Sequence, residues 1–115
     1  MATMQECIAS CLDCHSVCLE TISHCLSKGG DHAECNHIRV LQDCAQVCIT
    51  SADFMLRNSP LNPMICRICA RVCEICGADC ERRAEGDEQM RLCIETCRRC
   101  AESCAEMAEA ERKAA

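Results

Sequence analysis

The chain has 115 residues, enough for one hydrophobic core, and a net charge of −6. Its one aromatic residue is Phe54, which disfavours a β-rich domain. The basic clusters are short, such as Arg82-Arg83 and Arg98-Arg99, and have no aromatic neighbours, so we expect no nucleic-acid partner. No apolar run approaches the roughly 20 residues of a membrane span, so we expect no membrane partner.

The first helix is predicted from the stretch Thr3 to Glu6, which has the form of a capping box. The helical pattern continues to Lys28, and the glycine pair 29–30 ends it. Asp31 is the predicted cap of the second helix, which we expect to continue to about Arg57.

The clearest break in the chain is 58–63, which contains both prolines. Asn62 is the predicted cap of the third helix, with Pro63 in the first turn and an end near Ala84. Asp87 is the predicted cap of a fourth helix that runs to about Arg112. Four helices with short links predict an all-α, up-down-up-down antiparallel four-helix bundle, a single domain over 1–115.

Cysteine dominates the pattern within these helices, with seventeen in all. The steps between successive cysteines alternate between four and three residues, which are the steps of heptad core positions. The bundle core is therefore predicted to be lined with thiols. The predicted core positions are Met4, Cys7, Cys11, Cys14, Cys18, Thr21 or Ile22, Cys25, His37, Leu41, Cys44, Cys48, Ser51, Met55, Cys66, Cys69, Cys73, Cys76, Cys80, Met90, Cys93, Cys97, Cys100, Cys104 and Met107.

Thiols three or four residues apart lie on one face of a helix, where two sulfurs can hold one ion between adjacent turns. Cu(I) is soft, prefers thiolate, and accepts two or three ligands. Four-coordinate zinc and iron–sulfur clusters suit a straight ladder of thiols less well. We therefore expect multiple Cu(I) ions per chain, although the spacing leaves zinc or silver binding open.

The histidines and methionines gather at the two ends of the predicted bundle. One end combines His24, Cys25, His32, Cys35, His37, Cys80, Met90 and Cys93. The other combines Met4, Phe54, Met55, Met64 and Met107, which we expect to form an apolar plug. His37 lies on a core position and is a candidate ligand, whereas His24 and His32 are expected on the solvated surface and His15 is expected to be structural or exposed.

Several other functions are alternatives to the binding of multiple Cu(I) ions. Cysteine packs as a small hydrophobe, so each thiol taken singly has a structural interpretation. A thiol redox sensor is a second hypothesis, with Cys66 and Cys69 in the first turns of the third helix as its best candidates. A single-ion metallochaperone and an electron-transfer iron–sulfur protein are two more. No acid–base pair, phosphate loop or activated nucleophile stands out, so we do not expect an enzyme.

The combination of a four-three-four cysteine ladder with a four-helix bundle resembles the bacterial copper storage proteins. The resemblance covers almost the whole chain and implies a tetramer that binds many Cu(I) ions through core cysteines. It implies the cytosolic kind, since the first residues lack the regions of a signal peptide. The candidate copper ligands are Cys7, Cys11, Cys14, Cys18, Cys25, Cys35, His37, Cys44, Cys48, Cys66, Cys69, Cys73, Cys76, Cys80, Met90, Cys93, Cys97, Cys100 and Cys104.

The outer face of the first helix predicts self-association. Leu12, Leu19 and Leu26 fall at heptad positions that face water in an isolated bundle. Three leucines in line there predict an exposed apolar stripe, which is typical of a contact surface. The stripe indicates a homo-oligomer, and the family resemblance favours a tetramer. In function, we expect cytoplasmic storage and detoxification of copper.

Overall fold

The computed structural model describes the backbone of residues 1–114 and the side chains of residues 1–109. Four α-helices follow one another: α1 is Met4–Lys28, α2 is Cys35–Leu56, α3 is Asn62–Arg83 and α4 is Glu88–Ala114. A short 3-10 helix, Gly30–Ala33, lies between α1 and α2. The all-α prediction is confirmed.

Two of the predicted helix caps are in place. The hydroxyl of Thr3 accepts a hydrogen bond from the backbone N–H of Glu6 at 3.1 Å, which caps α1. Asp87 caps α4 by accepting the N–H of Met90 at 2.9 Å. α1 ends at Gly29, whose φ of 75° is a left-handed value that glycine adopts without strain, and whose N–H bonds to the carbonyl of Cys25.

The other two caps differ from the prediction. Glu34, not Asp31, caps α2, by accepting the N–H of His37 at 3.1 Å. Asp31 lies in the 3-10 helix, and its carboxylate pairs with Arg83 of α3 at 2.8 Å. Asn62 is the first residue of α3 rather than its cap, and its side chain is buried. At Asp31 a contact with another helix takes the carboxylate that local sequence assigns to the cap.

Helices adjacent along the chain pack side by side, and α4 closes the bundle against α1. The bundle is 47 Å long and 21 by 19 Å across. Because the links are short, each helix runs antiparallel to the next, and the predicted up-down-up-down arrangement is confirmed. Within the described part of the chain, no helix has the length and apolar character needed to cross a membrane.

The antiparallel arrangement gives the bundle two different ends. The polar end comprises the end of α1, the 3-10 helix, the start of α2, the end of α3 and the start of α4. The methionine end comprises the start of α1, the α2–α3 turn and the described end of α4. Between them runs a single core of buried side chains, most of which are cysteines.

Candidate metal centre

The core thiols are almost completely withdrawn from solvent. Sixteen of the cysteines are buried, and Cys35 is exposed. Cys35 is the first residue of α2, and its position outside the core means that the structure does not bring it together with the other thiols. Its role as a ligand stays a prediction.

The remaining core positions lie where the heptads place them. His37, Leu41 and Ser51 of α2 are fully buried. Thr21, not Ile22, fills the gap in the first helix, and its hydroxyl bonds to the carbonyl of Val17 at 2.7 Å. This hydrogen bond satisfies the only polar atom of the threonine side chain, so the residue is accommodated in the core.

Most close sulfur–sulfur contacts join different helices, and the predicted pairs one turn apart on the same helix occur beside them. Cys11 of α1 lies 3.4 Å from Cys104 of α4, and Cys48 of α2 lies 3.6 Å from Cys73 of α3. Within one helix the sulfurs of Cys14 and Cys18 are 4.0 Å apart. The candidate ion sites therefore combine a pair of thiols one turn apart on one helix with thiols of neighbouring helices.

The sulfurs converge in groups of four, with all members of a group within 4.8 Å of one another. Four converging thiols supply the four ligands that tetrahedral zinc needs, so the sequence argument that zinc suits a thiol ladder less well does not hold for the assembled core. Five such groups are Cys11/Cys69/Cys100/Cys104, Cys48/Cys69/Cys73/Cys100, Cys14/Cys44/Cys48/Cys73, Cys14/Cys18/Cys44/Cys97 and Cys18/Cys76/Cys93/Cys97.

These groups overlap, because several thiols belong to two of them. Cys14, Cys18 and Cys48 are examples. A sulfur that is shared between two groups can bridge two ions, since a thiolate has more than one lone pair. The core is therefore one continuous set of ligand atoms along the bundle rather than a row of isolated sites.

Hydrogen bonds among the thiols divide them into stronger and weaker acids. Hydrogen bonds from Cys100 and Cys104 lower the pKa of Cys11 to about 6. The pKa of Cys14 also lies below its ordinary value, through hydrogen bonds with Cys100 and then Cys18. Hydrogen bonding to Cys14 raises the pKa of Cys97. Some thiolates are thus stabilised by neighbours that keep their protons, and a metal ion that binds the whole set must displace those protons.

The last buried candidate ligands toward the polar end are of mixed type. The Cys25 Sγ atom lies 3.4 Å from Nε2 of His37 and 3.5 Å from Sδ of Met90. All three side chains have no exposed surface. Burial, followed by repulsion from Asp87, raises the pKa of Cys25 to about 11, so this thiol is protonated at neutral pH.

The structure adds Asp79 of α3, which the sequence analysis missed. Its carboxylate accepts a hydrogen bond from Nδ1 of His37 at 2.7 Å, and also bonds to Arg82 and Arg83. Burial tends to raise the pKa of Asp79, but the hydrogen bonds from His37 and Arg83 outweigh it and lower the pKa. One sequence feature could have indicated this contact: Asp79 directly precedes Cys80, a core residue predicted at the same end of the bundle as His37.

His24 and His32 do not match the prediction of solvated surface residues. His32 is buried, and its Nε2 atom has no hydrogen-bond partner although it lies 3.9 Å from Oδ2 of Asp87. His24 is half-buried and its Nε2 lies 2.8 Å from the same oxygen, which also accepts a hydrogen bond from Lys28. His24 belongs to α1 and His32 to the 3-10 helix, and both side chains lie near Asp87, the cap of α4. His15 is structural, as expected, with Nδ1 2.8 Å from the carbonyl oxygen of Ala45.

The methionine end is closed by side chains. Met55 and Met107 are buried, and Met4 is partly buried against the core, as the plug predicts. Met64 differs, because it is 60% exposed. The hydroxyl of Ser51 lies 3.5 Å from Sγ of Cys66, and this contact ends the line of thiols.

Phe54, the fifth residue assigned to this plug, also lies outside the core. It is half-buried, with the guanidinium of Arg57 packed 4.5 Å from the centre of its ring. A cation on the ring face is typical of an aromatic side chain at the surface. The plug therefore contains fewer residues than the sequence predicts.

Comparison with known proteins identifies the relatives of this chain. The family model described as copper storage protein matches residues 1–109. The uncharacterized cysteine-rich protein YhjQ of Bacillus subtilis is 33% identical over 68 residues. That match spans 59% of this chain and 63% of the relative, which is less than two thirds of its length.

Solved structures of similar proteins match over nearly the whole chain. A protein from Nitrosospira multiformis is 42% identical, with a TM-score of 0.87 over 93% of this chain and 95% of that one. The Cu(I)-bound copper storage protein BsCsp3 is 33% identical, with a TM-score of 0.84 over 90% and 96%. A cytosolic copper storage protein from Streptomyces lividans, solved with five coppers, is 34% identical, with a TM-score of 0.85 over 92% of each chain. The chain therefore belongs to the copper storage protein family.

Proposed function

We propose that this protein stores multiple Cu(I) ions in its core and thereby protects the cytoplasm from free copper. The observation that carries the proposal is the set of overlapping four-thiol groups, whose members lie within 4.8 Å of one another. Membership of the copper storage family supports it, as do the relatives whose structures contain copper. The cytosolic relative from Streptomyces lividans supports the compartment.

The ligand set follows from burial. We assign copper binding to the sixteen buried cysteines together with His37 and Met90, and we place Cys35 outside the storage core because it is exposed. Soft thiolates select Cu(I) over harder ions, and bridging sulfurs let neighbouring ions share ligands. The role is storage without catalysis: copper is held and later released to an acceptor, and no bond of a substrate is broken.

The test is an anaerobic titration of the reduced protein with Cu(I) against a competing chelator. The proposal predicts that the protein takes up several Cu(I) ions per chain before copper begins to accumulate on the chelator. The matched control is Cys35→Ser, which removes one exposed thiol and is expected to leave the capacity unchanged. Saturation at one ion per chain would contradict storage and favour a metallochaperone, and no uptake would favour a redox role for the thiols.

Self-association is the second part of the proposal. Leu12, Leu19 and Leu26 of α1 are 39%, 48% and 56% exposed, in agreement with the predicted stripe. A second stripe, which the sequence analysis missed, lies on α3, where Ile68 and Ile75 are 54% and 42% exposed.

α1 and α3 occupy diagonal positions in the bundle, since each of them packs against α2 and α4. The two stripes are thus separate surfaces. Two different self-complementary contacts per chain generate a closed tetramer, whereas one generates a dimer. The two stripes therefore support a tetramer, and the ligands remain inside each chain's own core.

A further inference from the structure

A second cluster of metal-ligating side chains lies outside the thiol core, where α1, the 3-10 helix and the start of α4 meet. Two imidazole nitrogens, Nε2 of His24 and Nε2 of His32, lie 2.8 and 3.9 Å from the same carboxylate oxygen, Oδ2 of Asp87. The centres of the two rings are 6.5 Å apart. His24 belongs to α1, His32 to the 3-10 helix and Asp87 is the cap of α4, so the cluster joins three elements of the fold.

The distances in this cluster are close to the ligand separations of a single ion. Bonds from zinc to nitrogen or oxygen are about 2.1 Å long, which places two ligands of one tetrahedral ion about 3.4 Å apart. The separation of His24 from the carboxylate oxygen is shorter than this value, and that of His32 is longer. Each imidazole therefore needs to shift by only about half an ångström relative to Asp87 to share one ion with it.

His32 supplies a buried nitrogen without a partner. Its side chain is 11% exposed, and among the described residues no group forms a hydrogen bond with its Nε2 atom. Burying an imidazole nitrogen in this state costs free energy, so packing alone does not favour histidine at this position. A metal ion between Nε2 and Asp87 gives the nitrogen a partner.

Asp87 is already oriented and charged as a ligand. Its Oδ1 atom accepts the N–H of Met90 at 2.9 Å, and its Oδ2 atom faces the histidines. Burial tends to raise the pKa of Asp87, but hydrogen bonds from Lys28, the Met90 N–H and His24 outweigh it and lower the pKa. The carboxylate therefore carries its charge at neutral pH, which metal binding requires.

Lys28 occupies the position of a cation beside this oxygen. Its ammonium nitrogen lies 2.8 Å from Oδ2 of Asp87, while half of its side chain is exposed. An ion pair with such an exposed partner contributes little to stability, because the ammonium is solvated equally well in water. A divalent ion can therefore replace the ammonium at Oδ2, and Lys28 then extends into solvent.

The donor set determines the class of ion. Two imidazoles and one carboxylate suit zinc and similar divalent ions, whereas Cu(I) prefers the thiolates of the core. We propose that His24, His32 and Asp87 bind one divalent cation of the zinc class, which fastens the 3-10 helix to α1 and to the cap of α4. Both rings bind through Nε2 as neutral imidazoles with their proton on Nδ1, and water completes the tetrahedron. The site is separate from the proposed copper store and does not depend on it.

The test is zinc binding by the full chain after its thiols have been saturated with Cu(I) under anaerobic conditions, which keeps zinc out of the four-thiol groups. X-ray absorption at the zinc edge should show one zinc ion per chain, with nitrogen and oxygen ligands at about 2.0–2.1 Å and no sulfur at about 2.3 Å. In nitrogen-15 NMR the Nε2 resonances of His24 and His32 should shift on addition of zinc. The same two resonances report the site in copper-free protein, so a failure of copper storage leaves this test intact.

Two variants each remove one ligand. His32→Gln and Asp87→Asn should both weaken zinc binding by about tenfold or more, at least the loss that is typical of an outer-shell partner. Asp87→Asn guards against a folding defect, because asparagine caps a helix as well as aspartate does. The matched control is His15→Gln, since His15 contacts the carbonyl oxygen of Ala45 outside the cluster and a glutamine amide can replace that donor. The control should bind zinc as tightly as the wild type.

A further variant should change the affinity in the opposite direction. Lys28→Gln removes the ammonium that competes for Oδ2 of Asp87 and should tighten zinc binding by about two- to fivefold. Weaker binding in this variant would contradict the exchange of ammonium for metal. Sulfur in the zinc shell, no zinc uptake, or unshifted resonances of His24 and His32 would overturn the site. Wild-type affinity in both His32→Gln and Asp87→Asn would overturn it as well.

Discussion

The two ends of the bundle close the same line of thiols in different ways. At the polar end the last core residues are His37 and Met90, and the carboxylate of Asp79 holds the imidazole of His37 in place. At the methionine end the last core residues are Met55 and Met107, which pack as apolar side chains. A buried ligand supported by hydrogen bonds is oriented for one task, whereas a buried methionine without such support fills space. From this comparison we predict that copper is exchanged at the polar end and that the methionine end is closed.

The largest effect is expected when the buried residues that close one end of the bundle are replaced with leucine. Replacing both His37 and Met90 with leucine should slow copper loading from a chelator by about tenfold or more, because the ion loses its first ligands. Capacity should fall by about one ion, since the thiol core is intact. Stopped-flow absorbance under anaerobic conditions measures the rate.

The matched control exchanges Met55 and Met107 for leucine at the opposite end. These substitutions conserve volume and should leave the loading rate unchanged. Equal slowing in both double variants would contradict the assignment of exchange to the polar end.

A second prediction compares the core with its surroundings. Cys48 belongs to two of the four-thiol groups, so Cys48→Ser should remove ligands from both and lower the capacity by at least one ion. Cys35→Ser should leave it unchanged, because that thiol is exposed. Native mass spectrometry of loaded protein counts the ions. Equal capacities for both variants would show that the sulfurs of the core are not shared.

A third prediction concerns pH, and here the two ends should behave alike. Burial raises the pKa of Cys25 from its ordinary value of 9.0 to about 11. At Cys66 the hydrogen bond from Cys104 lowers the pKa, but contact with Cys7 and burial outweigh it and raise the pKa to about 11. The folded state therefore keeps protons that the unfolded state loses above pH 9.

The metal-free, reduced protein should accordingly lose stability as the pH rises from 9 through 11, by up to about 1.4 kcal/mol per pH unit for each thiol. Urea unfolding followed by circular dichroism measures this slope. Cys25→Ser and Cys66→Ser should each reduce it, whereas Cys35→Ser should not. A stability that is constant from pH 8 to 11 would contradict the burial of protonated thiols at the two ends.

The smallest effect on copper is expected from the outer surface. Leu19→Glu places a charge within the α1 stripe and should dissociate the oligomer, while copper capacity stays the same because the ligands face into each chain's own core. Size exclusion with light scattering measures the mass. An unchanged mass would exclude this stripe as a contact, and Ile68→Glu would then test the second one on α3.

The sequence predicts the fold and the buried positions well because helical spacing alone determines which face a side chain occupies. Steps of three and four residues place Cys66, Cys69 and Cys73 on one face whatever the neighbouring helices do. The same reasoning predicts the buried positions of His37 and Met90. Spacing does not distinguish Thr21 from Ile22, because both lie close to the row of core positions on the first helix. Packing decides which of them is buried.

What the sequence does not reveal depends on contacts between helices. The pairing of Cys11 with Cys104 and of Cys48 with Cys73 depends on the axial offset of neighbouring helices, which no local pattern encodes. The burial of His32 likewise depends on how the 3-10 helix folds back toward Asp87. Such features require the assembled bundle, and so the candidate site was predicted in composition but not in connectivity.

Anomalous diffraction at the copper edge from crystals of the fully loaded protein tests the central claim most directly, since it locates the ions without assuming their ligands. We predict several copper peaks per chain, spaced along the bundle axis within the overlapping four-thiol groups. One further peak should lie between Cys25, His37 and Met90. A single peak per chain, or peaks confined to surface groups such as Cys35, would contradict the claim that the core is a store for multiple ions.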